Sequence, residues 1–247
     1  MPRLDEARDD LIAALDSRYG RTSAPTAGLA GPEHVTLFER LAWVLLNEVA
    51  TAKVATAAFD ALDAAGLLAP EALGPANPLA IDDVLKQARV AMAIKSIRPL
   101  QNLARWAQGL VGPLTPAGLA PVATETIREE WRAINGIGLA RADTLLLLGL
   151  GRLAYPVDRA TYRIFVRHGW LDPTAEYDDA RAVVERLATG VDGPGGEVAE
   201  VEAVPTLVHL GRWFDRVGRE FCKPATPQCE RCPLRPWLPE RGPVEVE

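Results

Sequence analysis

Cysteine is scarce in this sequence, and the few cysteines lie close together. The 247 residues contain three of them, Cys222, Cys229 and Cys232, with the spacing C-x6-C-x2-C followed by a proline. Because no other thiol is available, disulfide packing is disfavoured and a loop that binds a metal or a cluster is favoured. The alternative is that they are ordinary small apolar residues. Basic residues surround the loop and favour an anionic partner: Lys223, Arg231, Arg235 and Arg241.

A long apolar run and an apolar leader are also missing. No stretch is apolar and uncharged over the length of a membrane span, and the first ten residues, MPRLDEARDD, are charged. We therefore expect no membrane association, no secretion signal and a cytoplasmic location, where thiols stay reduced and can bind metal. A hydrophobic content of 48% with 24% charged residues is typical of a globular protein, and the length allows one large domain or two lobes.

Lysine is also scarce. The chain contains four lysines, so arginine carries nearly all the positive charge. The guanidinium group suits contacts with phosphate. The net charge of −6 weighs mildly against a nucleic-acid partner. It does not exclude one, because a local basic face matters more than the total charge.

Helical periodicity runs through nearly the whole sequence. Apolar residues mark one face of a first helix that Gly20 ends, and Thr36 with Glu39 forms a capping box before LFERLAWVLLNEV. A second capping box, Thr126 with Glu129, is predicted to open IREEWRAI. Further helices are predicted over 52–65, 81–92, 96–110, 158–169, 177–188 and 205–221.

Proline and glycine mark the connections between these helices. Loops are predicted over 21–35, 69–80 and 112–123, with an acidic, glycine-rich loop over 191–204 and a helix break near Arg98-Pro99. There is no convincing strand pair and no repeat of fixed period. The sequence therefore predicts an all-α protein.

The segment INGIG, residues 134–138, lies between two helical patterns and reads as a tight helical hairpin. We expect Gly136 and Gly138 to adopt conformations closed to other residues and to leave amide hydrogens uncovered at the start of the second helix. Free amides at the positive end of a helix dipole bind anions, and a DNA phosphate would fit there. Arg141, one turn into the second helix, would add charge. The alternative is a plain turn and a solvated arginine.

Asp158, in YPVDRATYRIFVRHGW, precedes a predicted helix about twenty residues after the hairpin. Its ordinary role would be to cap that helix. A carboxylate beside a sugar that is losing its base could also stabilise an oxocarbenium-like centre or activate water. The spacing alone leaves both interpretations open.

The hairpin INGIG, the segment VD-x3-YRI and GREFC-x6-C-x2-C, taken in this order, resemble the endonuclease III family of helix–hairpin–helix DNA glycosylases. The resemblance covers roughly residues 36 to 238. It implies two helical lobes flanking a DNA-binding cleft: a six-helix barrel over 36–153, and a cluster lobe built from 1–35 and 154–247. It also implies a monomeric, nucleoid-associated enzyme that excises damaged bases from double-stranded DNA, with Asp158 as the catalytic residue and a [4Fe-4S] cluster on Cys222, Cys229 and Cys232.

Several positions depart from the family pattern. The catalytic lysine falls on Ala140, the histidine after the aspartate on Ala160, and the base-displacing glutamine near Val49. No lysine lies between Lys95 and Lys223, so AP-lyase chemistry through a Schiff base is expected to be weak or absent. Lys53 could supply a displaced amine, although a solvated helix lysine is the simpler interpretation. The residues expected to contact DNA are Val49, Gly136, Ile137, Gly138, Ala140 and Arg141.

The fourth cysteine of the family spacing falls on Leu238, which cannot bind iron. A cluster on three thiolates would take water or a carboxylate such as Glu240 as its fourth ligand. The other possibilities are a zinc ion held with His209, or an empty loop. We expect the cluster first, then the empty loop, then zinc.

Two functions from different classes follow from these residues. The first is a glycosylase that flips a damaged nucleotide and hydrolyses its base with the help of Asp158. The second is a protein that recognises abasic or distorted DNA without chemistry, which the changes at Val49, Ala140 and Ala160 favour. A helical protein unrelated to DNA is the third interpretation.

Overall fold

The structure of the protein is a computed structural model that describes residues 4–21, 36–190 and 197–245. Within these ranges every regular element is a helix, which confirms the all-α prediction. No helix in the described ranges is both long and apolar enough to cross a membrane. The predicted loop at 21–35 lies outside the described residues except for residue 21, and so does the 191–196 part of the predicted acidic loop.

Twelve α-helices and one π-helical segment account for most of the described chain. In chain order they are α1 (Leu4–Tyr19), α2 (Leu37–Val49), α3 (Ala52–Ala64), α4 (Pro70–Leu73), α5 (Pro78–Gln87), α6 (Ile94–Gln108), α7 (Pro116–Leu119), α8 (Thr124–Arg132), α9 (Leu139–Thr144), π-helical Leu145–Leu150, α10 (Arg159–Arg167), α11 (Tyr177–Thr189) and α12 (Glu197–Glu220). Short 3-10 turns at Cys229–Arg231 and Arg235–Trp237 follow α12.

The chain forms two compact units. One contains residues 36–150 and therefore α2 to the π-helical segment. The other is discontinuous and combines residues 4–21 with 151–245, so that α1 packs against α11 and α12. The two ends of the chain thus belong to the same unit.

The core of the 36–150 unit is built from apolar faces of α2, α6 and α8. Leu41, Leu103 and Trp131 have no exposed surface. The Trp131 ring meets Trp106 edge-on at a centroid distance of 5.5 Å, which joins α8 to α6. This contact holds α8, the helix before the INGIG hairpin, against α6.

The core of the discontinuous unit is centred on α10 and α12. Phe165 packs edge-to-face on Phe214 at 5.2 Å and on Trp170 at 5.4 Å. The indole N–H of Trp213 donates to the Gly20 carbonyl at 3.1 Å, which fixes the end of α1 against α12.

Several predicted helix boundaries are wrong. The helix predicted over 81–92 is α5, Pro78–Gln87. Pro99 does not break a helix but lies inside α6, where it is buried, so packing outweighs the local signal there. The capping box at Thr126 is absent because α8 begins at Thr124, so Thr126 lies within the helix. Residues 197–204 belong to α12 rather than to a loop.

Candidate functional site

The hairpin between α8 and α9 requires glycine at position 136. Gly136 has a φ of +92°, a conformation that side chains rarely adopt. A Cβ added there would lie 2.8 Å from Cγ of Pro99, so the buried proline of α6 packs directly on the turn. The predicted backbone conformation of Gly136 is therefore confirmed.

Gly138 differs from the prediction, since it does not need glycine for its backbone conformation. It caps α9 with φ −86° and ψ −177°, which is extended backbone open to any residue. A Cβ at Gly138 would meet nothing within 4 Å. Because Gly138 has no side chain, the space beside the start of α9 is open at this exposed position.

The amides at the start of α9 are available, as expected, but that of Ile137 is not. The Ile137 N–H donates to the Ile134 carbonyl at 2.9 Å, and the Ile137 side chain is buried, so its amide is used within the turn. Within the described ranges, the N–H groups of Gly138, Leu139 and Ala140 have no hydrogen-bond acceptor. Gly138 and Ala140 are exposed. These three amides form the candidate anion-binding group.

Two side chains fix the turn. The Asn102 amide donates to the Asn135 carbonyl at 2.9 Å, and the Arg141 guanidinium donates to the Gly136 carbonyl at 2.7 Å. Arg141 is therefore held against the turn instead of extending freely into solvent. Its charge lies beside the three available amides.

A buried ion pair joins the two hairpin helices. Arg128 of α8 and Asp143 of α9 are 2% and 0% exposed. Nε of Arg128 lies 2.6 Å from Oδ1 of Asp143, and a second guanidinium nitrogen lies 3.4 Å from Oδ2. Sequence reasoning missed this pair. The available signal was helical spacing, since Arg128 lies three residues before Trp131 and Asp143 three residues before Leu146, which places each charge on the same face as a large apolar residue.

The end of α2 lies near the hairpin. Val49, its last residue, is half-buried. Burial raises the pKa of the neighbouring Glu48 carboxyl, and Arg141 opposes that shift, so α2 ends close to Arg141. Lys53, in the first turn of α3, is exposed and makes no hydrogen bond or ion pair within the part of the chain that the structure describes.

Asp158 lies in the discontinuous unit and caps α10, as predicted. Its Oδ1 accepts a hydrogen bond from the Thr161 N–H at 2.6 Å. The side chain is exposed, and no other donor in the described ranges bonds the carboxylate, so Oδ2 stays available. The segment before it is fixed by the Tyr155 hydroxyl, which lies 2.9 Å from the Thr161 hydroxyl, and by the Tyr177 hydroxyl, which accepts from the Val157 N–H at 3.1 Å.

Ala160, two residues after Asp158, packs against α12. A Cβ added to Gly218 would lie 2.5 Å from the Ala160 Cβ, so α10 and α12 approach closely here. The contact requires glycine or a shift of the backbone at position 218, and a larger side chain at position 160 would have to point away from Gly218.

The three cysteines line one cavity at the end of α12. The other residues that line it are Arg167, His168, Phe221 and Leu238. The cavity is small, and part of it is open to solvent. Leu238 thus lies in the cavity wall, at the position where the family spacing has its fourth cysteine. His209 and Glu240, the fourth ligands considered from the sequence, do not line it.

Burial sets the chemistry of these thiols. It raises the pKa of Cys232 to about 11, and burial together with the nearby Cys222 raises the pKa of Cys229. Thiols in this environment are protonated at neutral pH unless a metal displaces the proton. Across the described ranges, no three His, Cys, Asp or Glu side chains are grouped closely enough to hold a single metal ion.

Arg167 provides a buried positive charge at the same cavity. Its guanidinium donates to the carbonyls of Lys223 and Pro224, each at 2.7 Å, and lies 3.4 Å from Sγ of Cys222. No carboxylate within the described ranges pairs with it. A permanently charged group in this environment favours an anion at the thiols.

The chain is similar in sequence to known DNA repair proteins. The chain is 24% identical over 205 residues to endonuclease III of Sulfolobus acidocaldarius, covering 81% of each protein. It is 28% identical over 164 residues to the DNA glycosylase/AP lyase ROS1 of Arabidopsis thaliana. The matched residues span 59% of this chain and 11% of that protein. No family model matches the chain.

A solved structure of a trapped endonuclease III–DNA covalent intermediate has the same fold. The TM-score is 0.60 at 17% identity, and the match covers 96% of both chains. The sequence matches and this fold support the helix–hairpin–helix DNA glycosylase superfamily, the class that the motifs of the chain resemble.

Proposed function

We propose that the protein is a DNA glycosylase that removes damaged bases from double-stranded DNA by hydrolysis. The observation that carries the proposal is the Asp158 carboxylate, which is exposed and fixed by one oxygen while the other stays available. Such a carboxylate stabilises positive charge on a sugar or activates water. The endonuclease III relatives support the reaction class.

The hairpin would bind the DNA backbone. The amides of Gly138, Leu139 and Ala140 and the charge of Arg141 together favour a phosphate, without reading sequence. Val49 would act as an apolar wedge in the base stack when the damaged nucleotide flips out. We expect the protein to act as a monomer in the nucleoid.

Strand cleavage would be weak or absent. A Schiff base requires an amine, and position 140 carries a methyl group at the start of α9. Water activated by Asp158 would therefore complete the reaction. In this respect the chain would differ from ROS1, whose name includes AP lyase.

An excision assay tests the reaction. Duplex oligonucleotides that each carry one damaged base are incubated with the protein, and samples are analysed with and without alkali. We expect base loss that breaks the strand only after alkali, and no covalent adduct on borohydride reduction. An adduct that disappears in Lys53→Ala would instead assign lyase chemistry to Lys53.

The second candidate function is recognition of abasic or distorted DNA without catalysis. It is favoured by Ala160, which packs against Gly218 and places no polar side chain beside Asp158. The two functions give opposite results in one experiment. Tight, salt-sensitive binding to an abasic duplex with no excision from any damaged base would support recognition alone.

Two glycine variants test the hairpin. Gly138→Ala is expected to fold normally, because the added methyl meets nothing, but to weaken duplex binding about tenfold by obstructing an amide–phosphate hydrogen bond. Gly136→Ala is the matched control that should lower the melting temperature, because of its positive φ and the contact with Pro99. Fluorescence anisotropy measures the affinity for duplex DNA, and calorimetry measures the melting temperature. Unchanged affinity in Gly138→Ala would exclude the hairpin amides from the interface.

We further propose that Cys222, Cys229 and Cys232 hold a [4Fe-4S] cluster. Three thiols and a buried guanidinium line one cavity, and thiolates are the usual ligands of such a cluster. When bound, the cluster would supply the cross-links that fix residues 222–238. Protein purified without oxygen is expected to be coloured, to contain iron and sulfide, and to melt at a lower temperature once a chelator removes the iron.

A further inference from the structure

One long stretch of the chain carries positive charge and no negative charge. Between Asp83 and Glu125 there is no aspartate or glutamate, and the stretch contains five cationic residues: Lys86, Arg89, Lys95, Arg98 and Arg105. Its charge is therefore opposite to that of the whole chain, whose net charge is −6. A concentration of cations in an otherwise acidic protein indicates a face that meets an anionic partner.

Helix α6 places two of these cations on the face that contacts the hairpin. Lys95, Arg98 and Asn102 are three and four residues apart, so they lie along one face of α6. The Asn102 amide donates to the Asn135 carbonyl at 2.9 Å, and the proline next to Arg98 packs on the same turn. With a rise of about 1.5 Å per residue, Arg98 and Lys95 lie about 6 and 10 Å along α6 from Asn102.

Both cations are available to a partner. Lys95 and Arg98 are exposed, and neither side chain makes a hydrogen bond or an ion pair within residues 4–21, 36–190 and 197–245. Arg105, farther along α6, instead donates to the Gly74 carbonyl at 2.9 Å. The two charges nearer the start of α6 are therefore not used to hold the fold together.

The position of Lys95 is unfavourable for the helix itself. Lys95 lies in the first turn of α6, which has no acidic residue, and Ala93 provides no side-chain cap. A cation at the positive end of a helix dipole lowers the stability of the helix. A residue that opposes the local preference of its helix is typical of a binding site, where the contact with a ligand offsets the loss.

We propose that Lys95 and Arg98 bind phosphates of the DNA strand next to those held by the hairpin amides, so that α6 and the hairpin form one face for the DNA backbone. A duplex strand carries one phosphate for about every 3.4 Å of its axis, so a strand bound at the hairpin presents further phosphates to both side chains. Such contacts add affinity and fix the register of the duplex without reading its bases. The inference rests on the proposed binding of DNA by the hairpin.

Salt-dependent binding tests this face. Fluorescence anisotropy gives the affinity of the protein for an undamaged duplex and for an abasic duplex over a series of potassium chloride concentrations. Lys95→Gln and Arg98→Gln should each weaken binding about threefold to tenfold and lower the slope of log affinity against log salt by about one, and the double variant by about two. The loss should be equal for the two duplexes, because phosphate contacts do not read the base.

Stability is expected to change in the opposite direction in one of these variants. Lys95→Gln removes a cation from the positive end of α6, so it should melt at the same temperature as the unaltered protein or at a higher one. Weaker binding with undiminished stability shows that the lysine serves DNA and not the fold. If Lys95→Gln instead melts at a lower temperature and weakens binding only to that extent, Lys95 has a structural role and the proposal is wrong.

Arg40→Gln is the matched control. The Arg40 side chain is also exposed, makes no hydrogen bond or ion pair in the described part of the chain, and lies in the first turn of α2, about 13 Å along that helix from Val49. It should change the affinity about twofold or less. An equal loss in Arg40→Gln, or a loss confined to the abasic duplex, contradicts the proposal.

Two further outcomes separate this inference from the proposed function. Unchanged salt slopes in Lys95→Gln and Arg98→Gln, with weaker binding in Gly138→Ala, overturn the role of α6 and leave the hairpin as the DNA contact. Protein that binds neither duplex at any salt concentration overturns both the α6 face and the proposed function.

Discussion

Asp158→Asn is expected to lower the rate of base excision by about 10²- to 10⁴-fold while leaving the fold and DNA binding unchanged. The amide oxygen of asparagine can still accept the Thr161 N–H, and asparagine caps helices as well as aspartate does. The neutral amide, however, can neither stabilise a positively charged sugar nor take a proton from water. The variant therefore separates the chemical role of Asp158 from its structural role.

Three measurements check this expectation on the same preparations. Single-turnover excision gives the chemical rate, anisotropy gives the affinity for damaged duplex, and calorimetry gives the melting temperature. Asp158→Ala serves as the structural control, since it should also lose the cap and about 1 kcal/mol of stability. If Asp158→Asn excises bases within tenfold of the unaltered rate, Asp158 is a cap and not a catalytic residue.

Asp143→Leu is expected to destabilise the 36–150 unit by about 3–5 kcal/mol, because it removes the buried carboxylate that lies 2.6 Å from the Arg128 guanidinium, while Glu125, the other carboxylate near Arg128, is exposed and 3.4 Å away. Arg128→Met together with Asp143→Leu should recover most of this loss, since the double variant buries no unpaired charge. The hairpin would lose its geometry with the single variant, so duplex binding should fall as well.

Urea unfolding followed by circular dichroism measures these differences. The exposed pair of Arg132 and Glu129, in the same helix, provides the control, and Glu129→Gln should change stability by less than about 1 kcal/mol. An Asp143→Leu variant no less stable than Glu129→Gln would show that the buried pair does not hold the hairpin helices together.

The sequence predicted features that depend on neighbouring residues. The capping box of Thr36 and Glu39 is present, with both reciprocal hydrogen bonds. Asp158 caps α10, and Gly190 ends α11 in a left-handed conformation. In each case the deciding interaction lies within a few residues, so the local pattern contains the information.

Features that depend on distant residues could not be predicted in the same way. Pro99 stays helical because it is buried against Gly136, and Arg128 pairs with a residue of another helix. The cysteine spacing pointed to a metal-binding loop but did not show which other side chains line the cavity beside it. His168 lines the cavity because α10 ends there, whereas His209 stacks on Trp213 within α12.

The contact between Pro99 and Gly136 places a limit on how this protein can change over evolution. The pyrrolidine ring occupies the volume that any side chain at position 136 would need. A larger residue at 136 is therefore compatible with the fold only after a smaller one has replaced the proline, and the positive φ of Gly136 would still oppose it. Drift at either position thus depends on the order in which substitutions arise.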